Sequence, residues 1–213
     1  MPLHYEVLNK EQKELLPKLA FLKDQGFYLA GGTALALQIG HRTSIDFDFY
    51  SKNEFDNKLL SFYIAKKILN SNEAFSANNT LKIKVGHLEV SFFYYPYDLI
   101  QPPIESDILL ADKKDIAAMK LLAIADRGTR RDFIDLYFLI REFGLAKLFE
   151  FLQEKYPRYD PYHSFLALTY FVDADQEGEF QRFTLLKTAP EWDKMKKFFI
   201  QTAFNFKKQF LKP

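Results

Sequence analysis

Apolar and polar positions alternate with two different periods along the chain, and the change between them falls near the middle. Glu11 to Gln25 spaces Leu15, Leu16, Leu19, Phe21 and Leu22 as a helix would and closes at Gly26, a residue type that tolerates a left-handed helix end. Phe27 to Ala30 reads as a short buried strand, Gly31-Gly32-Thr33 as the break after it, and Ala34 to Ile39 as a helix ended by Gly40. Ile45 to Tyr50 alternates aliphatic or aromatic residues with aspartate, which predicts a strand with one apolar face. Phe55 to Leu69 returns to helical spacing through Leu59, Leu60, Tyr63, Ile64 and Ile68. Leu81 to Val85 and Leu88 to Tyr95, joined by Gly86-His87, predict a hairpin with Leu88, Val90, Phe92 and Tyr94 on one face. From Asp112 onward the period is helical, with helices expected over 113–126, 130–142, 146–156, 161–171 and 192–211. The expected fold class is α+β: a lobe with a small mixed sheet over residues 1–110, then a mostly helical lobe over 111–213.

Length and composition narrow the function classes. A chain of 213 residues suits one compact unit or two joined lobes and excludes a solenoid or a large multidomain enzyme. With 48% hydrophobic residues, among them 23 Phe and 12 Tyr, it can bury a sizeable core. The absence of Cys removes disulfides, zinc ribbons and thiol nucleophiles, suits a reducing cytoplasm as the expected location, and leaves metal chemistry to carboxylates and four His. The N-terminus has no signal-peptide pattern, and the longest uncharged run, 27–40, falls short of the roughly 18 apolar residues of a membrane span. A soluble protein without a membrane partner is expected. Net charge is +1, yet residues 187–213 hold seven Lys against Glu191 and Asp193. That segment reads either as a surface for a phosphate backbone or as a solvated helix face.

Candidate chemistry concentrates between Phe27 and Phe49. Asp46 and Asp48 lie two apart on the expected strand, so both carboxylates leave one face while Ile45, Phe47 and Phe49 point to the other. Two like charges so placed repel, and binding a cation relieves the cost. Oxygen-only ligands with open positions suit Mg²⁺, which takes one or two carboxylates together with substrate phosphates. Gly31 and Gly32 stand where the strand becomes a helix, a turn that opens backbone N–H groups to an anion. A phosphate site beside a metal site is what phosphoryl transfer requires. Each half also has a plainer reading, turn chemistry for the glycines and a solvated strand face for the aspartates.

Joined in this order, the residues resemble the first motif of nucleotidyltransferases with the DNA polymerase β fold. More narrowly, Gly31-Gly32-Thr33, the run His41-Arg42-Thr43-Ser44-Ile45-Asp46-Phe47-Asp48-Phe49, the segment Asp115 to Lys120, and Arg127-Gly-Thr-Arg-Arg-Asp132-Phe-Ile-Asp135 resemble the AbiEii/AbiGii toxin family over residues 25–140. The resemblance implies a two-lobed nucleotidyltransferase-like fold, Mg²⁺ as cofactor, an NTP substrate, and an acceptor such as the 3′ end of tRNA or another RNA. It also implies a place in a toxin-antitoxin or phage-defence pair, with a cognate antitoxin protein as partner. On the same basis Asp46, Asp48, Lys120 and Asp132 are the expected catalytic residues. Gly31, Gly32, Thr33, Arg42, Lys120, Arg127 and Arg131, with Arg130 as a further candidate, are expected at the nucleotide. Asp46, Asp48 and Glu89 are the expected metal ligands.

The third carboxylate departs from the wider pattern. Superfamily members usually take it from a neighbouring strand, and here Leu88 to Tyr95 offers Glu89 or, in its place, Ser91. Other roles stay open at this level: Lys120 either meets phosphate or snorkels from a core edge, and Thr129 with Asp132 either serves the site or caps a helix. Asp135 is a candidate partner of Arg130 or Arg131. Two functions follow, a nucleotidyl-transferring enzyme, or a nucleotide-binding module of weak or no activity that acts through a protein partner. A phosphatase of the haloacid-dehalogenase type is rejected, because only Ile45 precedes the first Asp where a long apolar strand should, and Phe49-Tyr50 follow.

Overall fold

A computed structural model describes residues 2–176 and 183–210, with the side chains of 209 and 210 excepted. The chain forms two compact units, Met1–Asp112 with Arg182–Leu186, and Lys113–Gln181 with Lys187–Pro213. The first carries a seven-stranded mixed sheet and the second is helical.

In the first unit, α1 spans Lys10–Leu15, opened by a reciprocal cap between Asn9 and Gln12. The expected helix over 11–25 does not continue as one element. Pro17 has no N–H to donate back along an α-helix, and the chain tightens into a 3₁₀ segment, Leu16–Leu22, that still buries Leu16, Leu19 and Leu22. Strand β1 is Tyr28–Ala30, and helix α2, Gly31–Ile39, starts directly from it. Gly40 ends α2 with φ of +60°, where a side chain would strike the His4 ring. Strand β2 is Phe47–Ser51, helix α3 Asn57–Lys67, β3 Ser71–Ala77, β4 Thr80–Val85, β5 Leu88–Tyr94, β6 Ile104–Glu105 and β7 Leu109–Leu110.

The strand order is β3-β4-β5-β2-β1-β7-β6. β2 runs antiparallel to β1 and parallel to β5, so it sits mid-sheet. The β4–β5 hairpin turns at Gly86-His87, with Gly86 at φ +60°, as its two-residue loop predicts. β3, β6 and β7 were not legible in the sequence. β3 is an edge strand exposed along nearly its whole length and therefore carries no apolar alternation, while β6 and β7 are two residues each.

The second unit contains α4 Lys113–Arg127, α5 Arg130–Phe143, α6 Leu145–Lys155, α7 Pro161–Ala167, α8 Val172–Gln176 and α9 Trp192–Phe210. The helix expected over 161–171 ends at Ala167, and Val172 opens a separate one. Leu211, the expected end of the last helix, lies outside the described residues. Phe133 of α5 centres an aromatic core, with Phe171, Trp192 and Phe199 rings 5.1, 5.8 and 5.2 Å away. No helix among the described residues is long and apolar enough to cross a membrane.

Helices α4 and α6 are tied by an ion pair inside the protein: Lys155 Nζ lies 2.7 Å from Asp115 Oδ1, and both side chains are inaccessible to solvent. Lys155→Met removes that counter-ion from a buried carboxylate and should cost about 3–5 kcal/mol in urea denaturation. Replacing both partners, Lys155→Met with Asp115→Leu, should recover part of the loss, because no lone charge is then left inside.

Candidate active site

The alternation of β2 fixes the carboxylates. Phe47 and Phe49 are wholly buried, while Asp48 between them and Asp46 just before the strand are half-buried. Register places Asp48 opposite Ala30 of β1 on one side and Ser91 of β5 on the other. The chain turns into α2 immediately after Ala30, so Gly31 arrives beside Asp48. A Cβ built on Gly31 would stand 3.3 Å from Asp48 Oδ2, and Gly31 holds φ of +67°, so both space and backbone conformation favour glycine. No side chain caps α2. The first turn of the helix, opened by half-buried Gly31 and Gly32, thus faces the carboxylate without a side-chain acceptor of its own.

Thr33 has a different position from the one expected. It is 2% exposed, and its hydroxyl bonds Ser44 Oγ at 2.7 Å and also the Asp46 carbonyl. Gln12 Nε2 donates to the Ile45 carbonyl at 3.0 Å. The two side chains strap the segment that delivers Asp46, so the Thr33 hydroxyl is engaged inside the protein. Arg42, expected at the nucleotide, is also buried: it donates to the Thr43 carbonyl at 3.0 Å and its guanidinium lies 5.6 Å from the centre of the Phe183 ring. Neither strap was readable from sequence, since Thr33 and Gln12 lie far from their partners along the chain.

The expected ligand trio does not gather. Among the described residues no three His, Asp or Glu side chains lie close enough to share a metal ion. Glu89 is drawn aside, with its Oε1 2.9 Å from Lys82 Nζ, and the register position next to Asp48 belongs to Ser91. The donor set that fits Mg²⁺ is therefore the pair Asp46 and Asp48, a number of protein carboxylates this ion accepts when phosphates supply further oxygens.

In the second unit, Lys120 neither snorkels nor stands open. It is 8% exposed, and its Nζ lies 2.7 Å from Asp132 Oδ1 and 2.8 Å from Asp135 Oδ2. Asp132 also caps α5 in a reciprocal box with Thr129, whose hydroxyl is 2.6 Å from Asp132 Oδ2. Asp132 therefore caps α5 with the same carboxylate that pairs with Lys120. Asp135, expected beside an Arg, faces Lys120; spacing of three on a helix puts Asp132 and Asp135 on one side, a signal present in the sequence. Arg127 is exposed at the end of α4, Arg131 is half-buried, and Arg130 lies over the Trp192 ring at 5.0 Å. Burial by itself would raise the Asp132 carboxyl, and Asp135 adds to that. The charge and hydrogen bond of Lys120, with the Thr129 hydroxyl, outweigh both and hold it below the usual carboxylate range.

Asp48 on β2, Asp46 just before it and the glycine-opened helix α2 form the candidate site, and the family to which the chain is matched makes its class that of the nucleotidyltransferases. The chain belongs to the AbiEii family, described as "Nucleotidyl transferase AbiEii toxin, Type IV TA system", whose sequence profile matches residues 15–209. A relative from Aquifex aeolicus (strain VF5), "Uncharacterized protein aq_aa25", is 38% identical over 200 residues, which cover 90% of this chain and 94% of the relative. Among solved structures, the chain resembles a putative nucleotidyltransferase from H. pylori with a TM-score of 0.57 and 17% identity, covering 95% of this chain and 97% of that one. It also resembles MenT4, the nucleotidyltransferase toxin Rv2826c from Mycobacterium tuberculosis H37Rv, with a TM-score of 0.59 and 15% identity over 93% and 83% of the two chains. At those identities the structural likeness concerns the fold.

Because the Asp132 carboxyl is held low in the folded state, its contribution to stability is complete above the ordinary Asp value, about 3.9, and is lost as pH falls through the lowered one. Wild type should exceed Asp132→Asn in stability at pH 7, and the margin should shrink below roughly pH 4. Urea unfolding of both proteins from pH 7 to pH 3 measures it; a constant margin would remove the ion pair as its source.

Proposed function

We propose that the protein moves a nucleotidyl group from an NTP to a hydroxyl of an RNA acceptor, with Mg²⁺ as cofactor. The observation that carries this reading is Asp48 on β2, with Asp46 just before the strand and Gly31 against Asp48. Asp46 and Asp48 would hold the ion, which when bound would neutralise phosphate charge and stabilise the negative charge that grows in the transition state. Gly31 and Gly32 would receive phosphate oxygens on the N–H groups of α2, where a larger residue would block close approach. Thr33 and Gln12 act indirectly by keeping Asp46 in place. In the second unit Lys120 and Asp132 remain proposed catalytic residues, with Lys120 acting as a cation already oriented by two carboxylates, while Arg127 and Arg131 are proposed for the polyanion. A cognate antitoxin and a tRNA acceptor are part of the proposal on family grounds.

A second reading is favoured by Ser91 standing where a third carboxylate would: a nucleotide-binding module of low turnover that works through a protein partner. Incubation with each α-labelled NTP, Mg²⁺ and an RNA pool distinguishes the two. Label on RNA selects the first, and retained NTP binding without transfer selects the second.

Asp48→Asn should leave the metal-free fold intact or slightly firmer, since a like-charge pair is relieved. With Mg²⁺ and NTP it should lower turnover at least one hundredfold, roughly 2.7 kcal/mol of barrier. Full metal-dependent transfer by this variant would remove the pair from the mechanism. Gly31→Ala should weaken NTP binding several-fold and cost about 1–2 kcal/mol in thermal unfolding, because its Cβ meets Asp48 from a left-handed backbone.

A further inference from the structure

The two neighbours of β2 divide the surroundings of the carboxylates into two sides. On the β1 side lies the glycine turn, with Gly31 against Asp48. On the β5 side an open cleft of about 780 Å³ begins at Ile45 and Asp46 and runs to Lys84, His87, Leu88 and Glu89 at the β4–β5 turn. Neither glycine lines this cleft, so Asp46 alone of the two aspartates borders it.

Its lining mixes charges, Lys10 and Lys84 with Glu11, Asp46 and Glu89, and the cations are not all paired with the carboxylates beside them. Lys84 stands in register with Glu89, but the Glu89 carboxylate is taken by Lys82 at 2.9 Å. Lys84 therefore has no ion-pair partner among the described residues, and His87 at the turn has no hydrogen-bonding partner among them; both are exposed. A cation and an imidazole donor at the mouth of a nucleotide-sized cleft suit a phosphodiester. Phosphate transfer in line constrains which phosphodiester it is. The attacking hydroxyl and the departing pyrophosphate lie on opposite sides of the α-phosphorus. With the triphosphate at the glycine turn, the hydroxyl must come from the other side of the carboxylates, where the cleft opens.

We infer that this cleft is the acceptor subsite, taking the terminal nucleotide of a polynucleotide strand, with Lys84 and His87 anchoring its phosphate while its hydroxyl reaches Asp46. The inference rests on the nucleotidyl-transfer reading of Asp46 and Asp48. In the step it serves, the acceptor hydroxyl oxygen forms the new bond to the α-phosphorus, the bond to pyrophosphate breaks, pyrophosphate leaves with the electron pair, and the hydroxyl proton passes to solvent.

The test compares two affinities in the full-length protein, so it reads binding whether or not turnover is detected. Unfractionated tRNA is the polynucleotide probe, followed by fluorescence anisotropy, and a non-hydrolysable NTP analogue with Mg²⁺ is the nucleotide probe, followed by calorimetry. Lys84→Ala combined with His87→Ala should weaken tRNA binding about tenfold and lower its salt dependence by a slope of about 1, while analogue affinity stays within about twofold. Lys84→Arg alone should keep tRNA affinity. Unchanged tRNA binding in the double variant, failure of the wild type to bind tRNA, or a loss that falls on the analogue instead would each overturn the assignment, the last by making the cleft part of the nucleotide site. Loss of the nucleotidyl-transfer reading shows itself elsewhere, as wild-type protein that moves no label.

Discussion

The site depends on the packing of β2. Phe47 and Phe49 are fully buried, and Phe49 stacks against Phe92 of β5 with ring centres 5.7 Å apart. A shift of one residue would exchange the two faces of the strand, burying the aspartates and exposing both phenylalanines. The energy of burying two aromatic rings therefore enforces the direction in which the carboxylates point.

Around this strand the protein uses polar contacts for position more than for strength. The buried Thr33 hydroxyl and the Gln12 amide hold the backbone just ahead of Asp48, where no β-ladder yet constrains it. In the second unit the same economy appears as Lys120 shared between Asp132 and Asp135, and Lys155 set against Asp115. Such buried pairs add little net stability over apolar packing, yet losing one partner is costly, so they fix side-chain geometry. Asp132 joins both functions, since the carboxylate that meets Lys120 also caps α5.

Among the described residues, the absence of a three-carboxylate group reflects competition for Glu89. Lys82 and Lys84 lie on one face of β4, opposite Ser91 and Glu89 respectively. The glutamate pairs diagonally with Lys82, and this leaves Asp48 on β2 and Asp46 just before it as the candidate ligands, and Lys84 at the cleft without an ion-pair partner among the described residues. One cross-strand choice thus shapes both the proposed metal site and the proposed acceptor side.

Several features were determined by sequence alone because their causes are local. Alternation around Asp46 and Asp48 made β2 legible, Gly86-His87 marked the hairpin, and the spacing of Leu and Ile set out the helices from Lys113. The glycine turn and the two aspartates could be named as candidate chemistry for the same reason. Pro17 was equally visible, although the apolar spacing around it masked its consequence, a 3₁₀ segment where one helix was expected. Other features required tertiary structure: Ser91 rather than Glu89 beside Asp48, Thr33 and Arg42 turned inward, and Lys120 held by two carboxylates. Each depends on which of several possible partners a polar side chain reaches. That choice is made by strand register and helix packing, which bring together residues far apart in the chain, and periodicity along the sequence carries no record of it.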